Sequence, residues 1–484
     1  MPHVITQPCC SDASCVYACP VNCIHPTPDE PGFATAEMLY IDPSTCVDCG
    51  ACITACPVGA ISPGHRIPDT QERFTQVNAD YYGADPDPEG PRFPVDSLWR
   101  KPLAPVDKPR ALDGVPDPLQ IAIVGSGPSA MYAADELLKH RQVRVTMFER
   151  LSEPFGLARF GVAPDHPATR SVVDLFNVIA QDPYLQILLN TEVGRDVTLE
   201  QLRQEYHAVL WAGGAPTDRP LEITGVDLPG VQSATTVVGW YNGHPDFVDA
   251  VPLLDTERAV VIGNGNVALD VARILTADPD RLATTNIDAA ALAHLRGSSI
   301  REIVVVGRRG AEHGAFTLPE LIGLADGPAH VWVDPADLVD APETEKTTLL
   351  REISQRPKPA EPYLRLAFGL TPERILGEER ATGVRFQRTG TQETVELQAG
   401  AVFTAIGYRG RPVPGLPFDD ARGTIANVAG RITADQQPIP GLYVTGWVKR
   451  GPNGFIGTNK TDSAEAVRGL LADAEAGLLA RAGV

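Results

Sequence analysis

All nine cysteines of this 484-residue chain lie within its first 56 residues. They form two groups that share one spacing. The second group, from Cys46 to Cys56, reads C-x2-C-x2-C-x3-C and is followed by a proline. The first group, from Cys9 to Cys19, has the same spacing and the same closing proline, but Asp12 stands at its second position. This repeat constrains the fold more than any other feature, because closely spaced thiolates must converge on a common site.

The spacing of both groups predicts two iron–sulfur clusters. Short C-x2-C steps let successive thiolates surround one cluster, while the fourth cysteine of each group ligates the other cluster. One predicted [4Fe-4S] cluster has four thiolate ligands: Cys46, Cys49, Cys52 and Cys19. The other cluster has three thiolates and one carboxylate position: Cys9, Cys15, Cys56 and Asp12. Cys10 could replace Cys9 as a ligand, although the spacing favours Cys9.

The aspartate leaves the composition of the first cluster open. A carboxylate binds iron less tightly than a thiolate does. The cluster is therefore either [3Fe-4S], or [4Fe-4S] with a labile iron at Asp12. Cys23 is left without a place in either group. Residues 1–63 closely resemble the two-cluster bacterial ferredoxins, and in those with a three-iron cluster a free cysteine occupies the Cys23 position.

Two other uses of cysteine fit the pattern less well. A disulfide framework needs an oxidising compartment, but the chain starts Met-Pro-His-Val, without the basic and apolar stretches of a secretory signal. Zinc sites also use C-x2-C pairs, yet they rarely consist of two tandem four-ligand groups each closed by Cys-Pro. No apolar run is long enough for a membrane span. We therefore expect a cytoplasmic protein with no membrane partner.

Charge is unevenly distributed along the chain. The net charge of −20 argues against nucleic-acid binding, which needs a basic surface. Residues 1–63 hold six acidic side chains and no Lys or Arg. An acidic electron carrier docks on a basic patch of its reductase. We expect this segment to dock beside the flavin predicted below, against Arg159, Lys449 and Arg450.

Residues 64–118 read as a linker. Nine prolines fall between Pro86 and Pro118, which blocks helices and interior strands. Tyr81, Tyr82 and Trp99 predict that the linker packs on a domain.

From residue 119 the pattern becomes α/β and predicts a first nucleotide site. The apolar strand Leu119–Val124 is followed by Gly125, Gly127 and a helical run, and the next strand ends at Glu149. Glycines at these positions let the backbone approach a pyrophosphate at the helix N-terminus. The acidic side chain after the second strand is placed to bind ribose hydroxyls. Glu149 therefore favours FAD here.

The same fingerprint recurs and predicts a second nucleotide. Strand 258–262 precedes Gly263–Ala268, where glycines again open a helix. The partner strand Ile303–Val306 ends in Arg308 and Arg309 rather than in an acid. Guanidiniums bind a 2′-phosphate, which a carboxylate would repel. The second site therefore reads as NADP(H), with an inserted helical segment around Asp278–Leu295.

Two later segments, Ala401–Gly407 and Gly441–Trp447, look like returns to the first domain. The predicted fold class is α/β, with two Rossmann-like dinucleotide-binding domains preceded by a small α+β ferredoxin domain. The predicted domains, in order, are the ferredoxin domain, the linker, the first half of the FAD domain, the NADP domain and the second half of the FAD domain: 1–63, 64–118, 119–218, 219–394 and 395–484.

Four motifs carry a wider resemblance. Gly125–Ala130, Phe155–His166, Gly263–Asp270 and Gly446–Pro452 resemble the adrenodoxin-reductase family of ferredoxin–NADP reductases. With the N-terminal segment in front, the whole chain resembles the mycobacterial fusions of ferredoxin with such a reductase.

The resemblance implies particular ligand-binding residues. In addition to Gly125 and Gly127, the residues implied at the FAD site are Ser129, Ala130, Glu149, Leu157, Trp447, Gly454, Phe455 and Ile456. In addition to Gly263 and Gly265, the residues implied at the NADP site are Asn264, Asn266, Val267, Arg308, Arg309 and Glu320. Asp165 and His166 are the candidate catalytic residues, with His166 in an orienting or proton-relay role. The family also has a glutamate near the flavin where this chain has Gly323.

These features predict a ferredoxin–NADP⁺ reductase with a built-in ferredoxin. No cysteine follows Cys56, so no redox-active disulfide can accept electrons from the flavin. Hydride transfer between NADPH and FAD would then be followed by single-electron transfer to the clusters. External acceptors would be another ferredoxin or a one-electron system such as a cytochrome P450 system. Two alternatives remain: an NADPH-oxidising input subunit of a larger, glutamate-synthase-like complex, and a flavin and iron–sulfur redox sensor.

Overall fold

The structure is a computed structural model that describes residues 2–83 and 111–479. Most of the predicted proline-rich linker, including Trp99, lies outside the described residues. Within them, none of the helices has the length and apolar content needed to cross a bilayer.

The N-terminal segment is a small α+β unit built around the cysteines. Two antiparallel strand pairs frame it: His3–Ile5 with Ile61–Pro63, and Ile24–His25 with Tyr40–Ile41. Each cysteine group leads into a short helix, Ser14–Ala18 and Ala51–Ala55. Short 3-10 turns complete the unit at Phe33–Thr35, Gly64–Arg66 and Asp69–Gln71. We call residues 2–83 the ferredoxin module.

The start of the predicted linker is a helix, Arg73–Tyr82, that packs on the module. Asn78 is buried; its side-chain oxygen accepts from the amide of Ile41 (2.9 Å), and its amide group donates to the carbonyl of Ile5 (2.8 Å). Tyr81 stacks on Tyr40, with ring centroids 4.2 Å apart. The predicted packing of Tyr81 and Tyr82 is thus confirmed.

A seven-stranded sheet organises the first α/β unit. Five adjacent strands are parallel, and two strands with antiparallel pairing extend the sheet at one edge. In spatial order the strands are Asn427–Val428, Arg431–Ala434, Gln437–Val444, Ala208–Trp211, Leu119–Val124, Val143–Phe148 and Leu185–Leu188. The helices of this unit are Pro128–Leu138, Leu157–Phe160, Pro167–Arg170, Val172–Ala180, Leu199–Glu205, Trp447–Arg450 and Thr458–Glu475. We call the last of these the C-terminal helix.

A six-stranded parallel sheet organises the second α/β unit. In spatial order its strands are Val231–Ser233, Ala401–Thr404, Arg258–Ile262, Glu302–Val306, Tyr363–Ala367 and Val331–Val333. The helices of this unit are Ala234–Tyr241, Asn266–Thr276, Pro279–Leu282, Ala289–Leu295, Leu318–Asp326 and Glu345–Gln355, with 3-10 turns at Ala311–His313 and Pro335–Leu338. The predicted inserted helical segment is confirmed by the third and fourth of these helices.

Three small antiparallel pieces complete the described chain. A three-stranded sheet packs on the second unit: Leu370–Leu376, Gly383–Arg388 and Thr394–Gln398. Two strand pairs lie nearer the first unit: Thr217–Asp218 with Tyr408–Arg409, and Phe418–Asp419 with Thr424–Ile425.

One sequence expectation about the sheets is wrong. Strand Ala401–Thr404 does not return to the first sheet, because it pairs with Arg258–Ile262 and with Val231–Ser233 in the second sheet. An apolar run such as Ala-Val-Phe-Thr fits any buried parallel strand, so its composition cannot distinguish between two such sheets. The chain re-enters the first sheet later, first in the edge strands Asn427–Val428 and Arg431–Ala434 and then in the parallel strand Gln437–Val444.

Candidate functional site

Five cysteines converge on a small cavity in the ferredoxin module. The cavity-lining cysteines are the four predicted ligands of the [4Fe-4S] cluster and the leftover one: Cys19, Cys46, Cys49, Cys52 and Cys23. The sulfurs of Cys19 and Cys23 are 3.4 Å apart. Cys49 is exposed, whereas the other four are buried. We call this the outer site. A cavity lined by this many thiols fits a cluster bound by four of them.

The second predicted ligand set forms another group, the inner site. Burial raises the pKa of the Cys15 thiol well above its usual value, and the nearby negative charges of Cys9, Asp12 and Cys56 raise it further. The four predicted groups are therefore close together. The amide of Leu39 donates to the Cys9 sulfur at 3.5 Å. Buried Cys10 also lies near this group and packs against the core of the first α/β unit.

The first fingerprint has the backbone shape that a bound pyrophosphate needs. Gly125 has a φ of +99°, and a Cβ added there would lie 2.9 Å from the Ala212 carbonyl oxygen. The buried Glu149 carboxylate orients the loop by accepting from the amide and the hydroxyl of Ser126, at 3.0 and 2.6 Å. A Cβ added at Gly127 would meet nothing within 4 Å. The helix N-terminus thus faces open space.

The remaining predicted FAD residues surround the same region. Leu157 is 39% exposed, which is unusual for a leucine at the start of a helix in an interior loop. Ser129 donates to the Asn459 side chain at 2.8 Å and so joins the first fingerprint to the C-terminal helix. The indole nitrogen of Trp447 is buried and has no hydrogen-bond partner among the described residues. An exposed apolar side chain and an unpaired buried donor are both features that a bound amphipathic ring system such as FAD would satisfy.

The second fingerprint repeats this geometry beside two free arginines. Gly263 has a φ of +117°, and an added Cβ would lie 2.2 Å from the Ala405 carbonyl oxygen. Arg308 and Arg309 follow strand Glu302–Val306 and are both exposed. Neither forms an ion pair with any residue of the described chain. Two unpaired guanidiniums at this strand end fit a phosphate group.

The side chains of Asn264 and Asn266 are already engaged within the protein. Asn266 accepts from the amide of Thr317 at 2.9 Å, and Asn264 accepts from the amide of Ala315 at 3.4 Å. These bonds hold the second fingerprint loop against the segment that leads into helix Leu318–Asp326. Any contact of this loop with a nucleotide therefore falls mainly to its backbone.

The predicted catalytic pair joins a buried charge network around Arg273. Arg273 donates to both oxygens of Asp165, at 2.8 and 3.1 Å, to Asp270 at 2.6 Å and to Glu320 at 2.6 Å. Burial alone would lower the pKa of this guanidinium, but the three carboxylates raise it well above its usual value. His166 lies 3.9 Å from Glu320. Arg273 is the residue that sequence reasoning missed; an arginine within an apolar helix face was the available signal.

Two carboxylates of the Arg273 network have pKa shifts of opposite direction. Burial raises the pKa of Asp165, but the charge and hydrogen bonds of Arg273 outweigh burial, so the pKa is lowered. Burial raises the pKa of Asp270, and the charge of Arg273 does not offset it. Asp165 therefore stays ionised and fixes the guanidinium in place.

The ferredoxin module packs on both α/β units. Glu37 accepts from Lys346 at 2.8 Å and from the amide of Leu318 at 2.6 Å, so it caps a helix of the second unit. Gln7 lies against Gly323, where an added Cβ would be 2.0 Å from its side chain, and its amide is 3.4 Å from Glu320. The module therefore occupies the space beside Gly323 that a larger side chain would need.

The expected docking partners of the acidic module are wrong. Arg159 pairs with Glu153, while Lys449 and Arg450 both pair with Asp462. These basic groups are neutralised by carboxylates of their own unit, so they offer no attraction to the module. The module's acids meet two lysines instead: Lys346, described above, and Lys460, which lies 3.5 Å from Asp12.

Comparison with known proteins supports both halves of this architecture. Residues 39–62 match the family model of the 4Fe-4S binding domain, and residues 119–280 match that of pyridine nucleotide-disulphide oxidoreductase. The "Probable ferredoxin/ferredoxin--NADP reductase" of Mycobacterium tuberculosis is 52% identical over 495 residues, covering 99% of this chain and 85% of the relative.

Relatives without the module match the remainder. Human mitochondrial "NADPH:adrenodoxin oxidoreductase" is 43% identical, covering 74% of this chain and 80% of its own length. The structure of M. tuberculosis FprA in complex with NADPH superimposes with a TM-score of 0.70 at 44% identity, covering 74% of this chain and 84% of FprA. At this identity and coverage, the chain belongs to the family of ferredoxin/ferredoxin–NADP reductases.

Proposed function

We propose that this protein is a ferredoxin–NADP⁺ reductase that carries its own ferredoxin. It oxidises NADPH and releases electrons singly, through two iron–sulfur clusters, to an external acceptor. The observation that carries this proposal is the packing of the inner site directly on the segment assigned to the flavin ring. The amide of Gly457 donates to the carbonyl of Cys10 at 2.9 Å, immediately after Ile456.

The second fingerprint is the proposed entry point for NADPH. Arg308 and Arg309 bind the 2′-phosphate, because they are exposed and unpaired with any described acid. The glycine-rich turn and the helix N-terminus at Asn266 receive the pyrophosphate. Glu320, whose carboxylate accepts from Arg273 at 2.6 Å, would lie at the nicotinamide end of the site.

The first fingerprint is the proposed FAD site. FAD bound here would accept one hydride from NADPH and pass its two electrons on singly, which is chemistry that the protein positions but does not itself supply. Ser126 and Leu151 hold Glu149 where a ribose would lie. Leu157 and Trp447 would contact the rings. Asp165 positions the guanidinium of Arg273. His166, which lies 3.9 Å from Glu320, orients the groups around that guanidinium.

The arrangement of the two cluster sites suggests a direction for the electron path. The inner site packs against the first α/β unit, with Cys9, Cys10 and Cys56 among the core contacts that include Ile456. The outer site lies farther out, and its Cys49 is exposed. We assign the inner cluster as the first acceptor after the flavin and the outer cluster as the donor to external partners.

The surface around Cys49 favours a basic acceptor. Asp48 is exposed beside it, and the module carries no Lys or Arg before residue 66. A positively charged acceptor would be attracted to such a surface. Another acidic ferredoxin is therefore less suited as the acceptor than a cytochrome with a basic surface, and a cytochrome P450 system is one acceptor class that fits.

An anaerobic NADPH titration tests the proposal. The full chain, loaded with FAD and reconstituted with iron and sulfide, receives NADPH in steps while flavin absorbance and cluster EPR signals are recorded. We expect the flavin to be reduced first and the clusters next, at a rate independent of protein concentration, because the module is already docked. NADH should act far less efficiently. Clusters that stay oxidised beside a fully reduced flavin would refute the electron path.

A further inference from the structure

Asp12 is held by a residue of the reductase rather than by the ferredoxin module alone. Lys460, in the first turn of the C-terminal helix, donates to the hydroxyl of Ser14 at 2.7 Å and lies 3.5 Å from the Asp12 carboxylate. Ser14 in turn donates its hydroxyl proton to one Asp12 oxygen, and its amide donates to the other at 3.3 Å. Both oxygens of Asp12 are thus engaged, and the side chain is buried.

The contact between the C-terminal helix and the Asp12 loop is tight enough to fix this arrangement. Gly457 precedes the helix, and a Cβ added there would lie 2.3 Å from the Asp12 amide nitrogen and 2.4 Å from the Cys10 carbonyl oxygen. The loop therefore lies directly on the backbone of the helix start. Lys460 follows three residues later and reaches the carboxylate side of the same loop.

We propose that Lys460 acts as a lock that keeps the inner cluster in its three-iron form. This inference rests on the proposed iron–sulfur function of the inner site. To bind a fourth iron, the Asp12 carboxylate must give up its bond from Ser14 and its attraction to the ammonium of Lys460. The same ammonium repels an incoming Fe²⁺ ion at this corner. The reductase thereby decides the composition of a cluster whose ligands all belong to the ferredoxin module.

The lock acts on the conversion of the three-iron cluster to the four-iron cluster, which requires one electron and one Fe²⁺ ion. The cluster [3Fe-4S]⁺ first accepts one electron from dithionite and becomes [3Fe-4S]⁰. Addition of Fe²⁺ then gives [4Fe-4S]²⁺, with no further change in electron count. The new iron takes an oxygen of Asp12 as its protein ligand. The Ser14 hydroxyl keeps its proton but no longer donates a hydrogen bond to that oxygen. Lys460 holds the exchange on the three-iron side.

Lys460→Met tests the lock in the full chain. Dithionite-reduced protein receives Fe²⁺ in steps, and iron content and the EPR signal of the three-iron cluster are measured after reoxidation. We expect the Fe²⁺ concentration for half-conversion to fall at least about ten-fold from wild type, because a charge-assisted interaction has been removed. Ser14→Ala should shift it in the same direction. Lys460→Arg retains the charge and should behave like wild type.

Lys346→Met is the matched control. It removes the other lysine contact between the module and the reductase, at Glu37, without touching Asp12. It should leave the Fe²⁺ titration unchanged, which separates the lock from a general loosening of the module. Asp12→Cys should hold four irons without added Fe²⁺ and provides the reference spectrum.

Three outcomes overturn the lock, and they differ in what they mean for the proposed function. Lys460→Met protein that converts within about two-fold of the wild-type Fe²⁺ concentration excludes a role for Lys460. Wild-type protein that already holds a four-iron inner cluster excludes the lock but leaves the proposed electron path standing. Protein with no iron at the inner site after reconstitution overturns both.

Discussion

The loops of the inner and outer sites have nearly the same backbone but opposite surroundings. The inner loop runs from Cys9 to Cys15 and the outer loop from Cys46 to Cys52. Ser11 and Asp48 correspond in position and have φ values of 56° and 58°. One residue on, the inner loop has Asp12, buried against the reductase, and the outer loop has Cys49, exposed to solvent.

Sequence spacing therefore determines the backbone turn of each loop, whereas the surroundings of the loop determine its chemistry. Both loops continue through a left-handed residue into a helix, at Ala13 (φ 60°) in the inner loop and Gly50 (φ 75°) in the outer loop. This match supports Cys9, rather than Cys10, as the counterpart of Cys46. It also gives a concrete way to test which differences between the loops matter.

The largest effect is expected from Cys49→Ala. It removes the one exposed thiolate of the outer site. Changes to residues that merely support metal ligands cost 10- to 100-fold in affinity, so loss of a direct ligand should lower the affinity of the outer site for its cluster by more than about 100-fold. Cytochrome c reduction should fall with it. NADPH oxidation with ferricyanide should remain, because ferricyanide can take electrons before the outer site.

The outcome of Cys49→Ala distinguishes two roles for the loops. Cytochrome c reduction at the wild-type rate, with the outer EPR signal gone, would mean that electrons leave from the inner site. The proposed division between an inner relay and an outer exit would then be wrong.

The next effect in size concerns electron entry, where neither loop should matter. Alanine at both Arg308 and Arg309 removes two charge-assisted contacts worth about 1.5–3 kcal/mol each. We expect the preference for NADPH over NADH, measured as the ratio of kcat/KM values, to fall ten-fold or more. Both cluster EPR signals should be unchanged. Equal losses for the two nucleotides would show that these arginines only support the fold.

Much of the local structure could be predicted from the sequence because short-range patterns determine it. The cysteine spacing predicted four of the five thiols that line the outer cavity, all but that of Cys23. The two glycine fingerprints predicted strands that the structure places at Leu119–Val124 and Arg258–Ile262. These features depend on backbone geometry within a few residues, so the sequence encodes them directly.

Contacts between units could not be predicted in the same way. The basic residues Arg159, Lys449 and Arg450 looked available for docking, but each has a carboxylate partner within its own unit. Gly323 looked like a lost functional side chain, whereas the structure shows Gln7 packed against it. Both sets of contacts depend on which surfaces of the molecule meet. The periodicity or spacing of residues within one segment does not predict this.

A smaller effect is expected where the inner loop meets the reductase, from Gly457→Ala. The added methyl group would overlap the backbone of Cys10 and Asp12, which cannot move aside as a flexible side chain could. Overpacking of this kind costs about 1–3 kcal/mol. We expect a lower Tm and slower reduction of the clusters by NADPH, with flavin reduction unchanged. A variant with wild-type Tm and cluster reduction would show that the module need not lie so close.

The smallest effect is expected from exchanging the left-handed residues of the two loops. At Gly50 an added Cβ would meet nothing within 4 Å, so Gly50→Ala introduces only backbone strain, which costs about 1–2 kcal/mol for an L-residue in this region. Ala13→Gly relieves the same strain but gives the unfolded chain about 0.4–1 kcal/mol more freedom, so its net gain should be about 0–1.6 kcal/mol. Thermal melting followed by cluster absorbance should show a small loss of Tm in the first variant and a smaller gain in the second. Because neither substitution changes a ligand, neither EPR signal should change. A changed inner signal in Ala13→Gly alone would mean that the inner loop, unlike the outer one, depends on this residue to hold Asp12 in place.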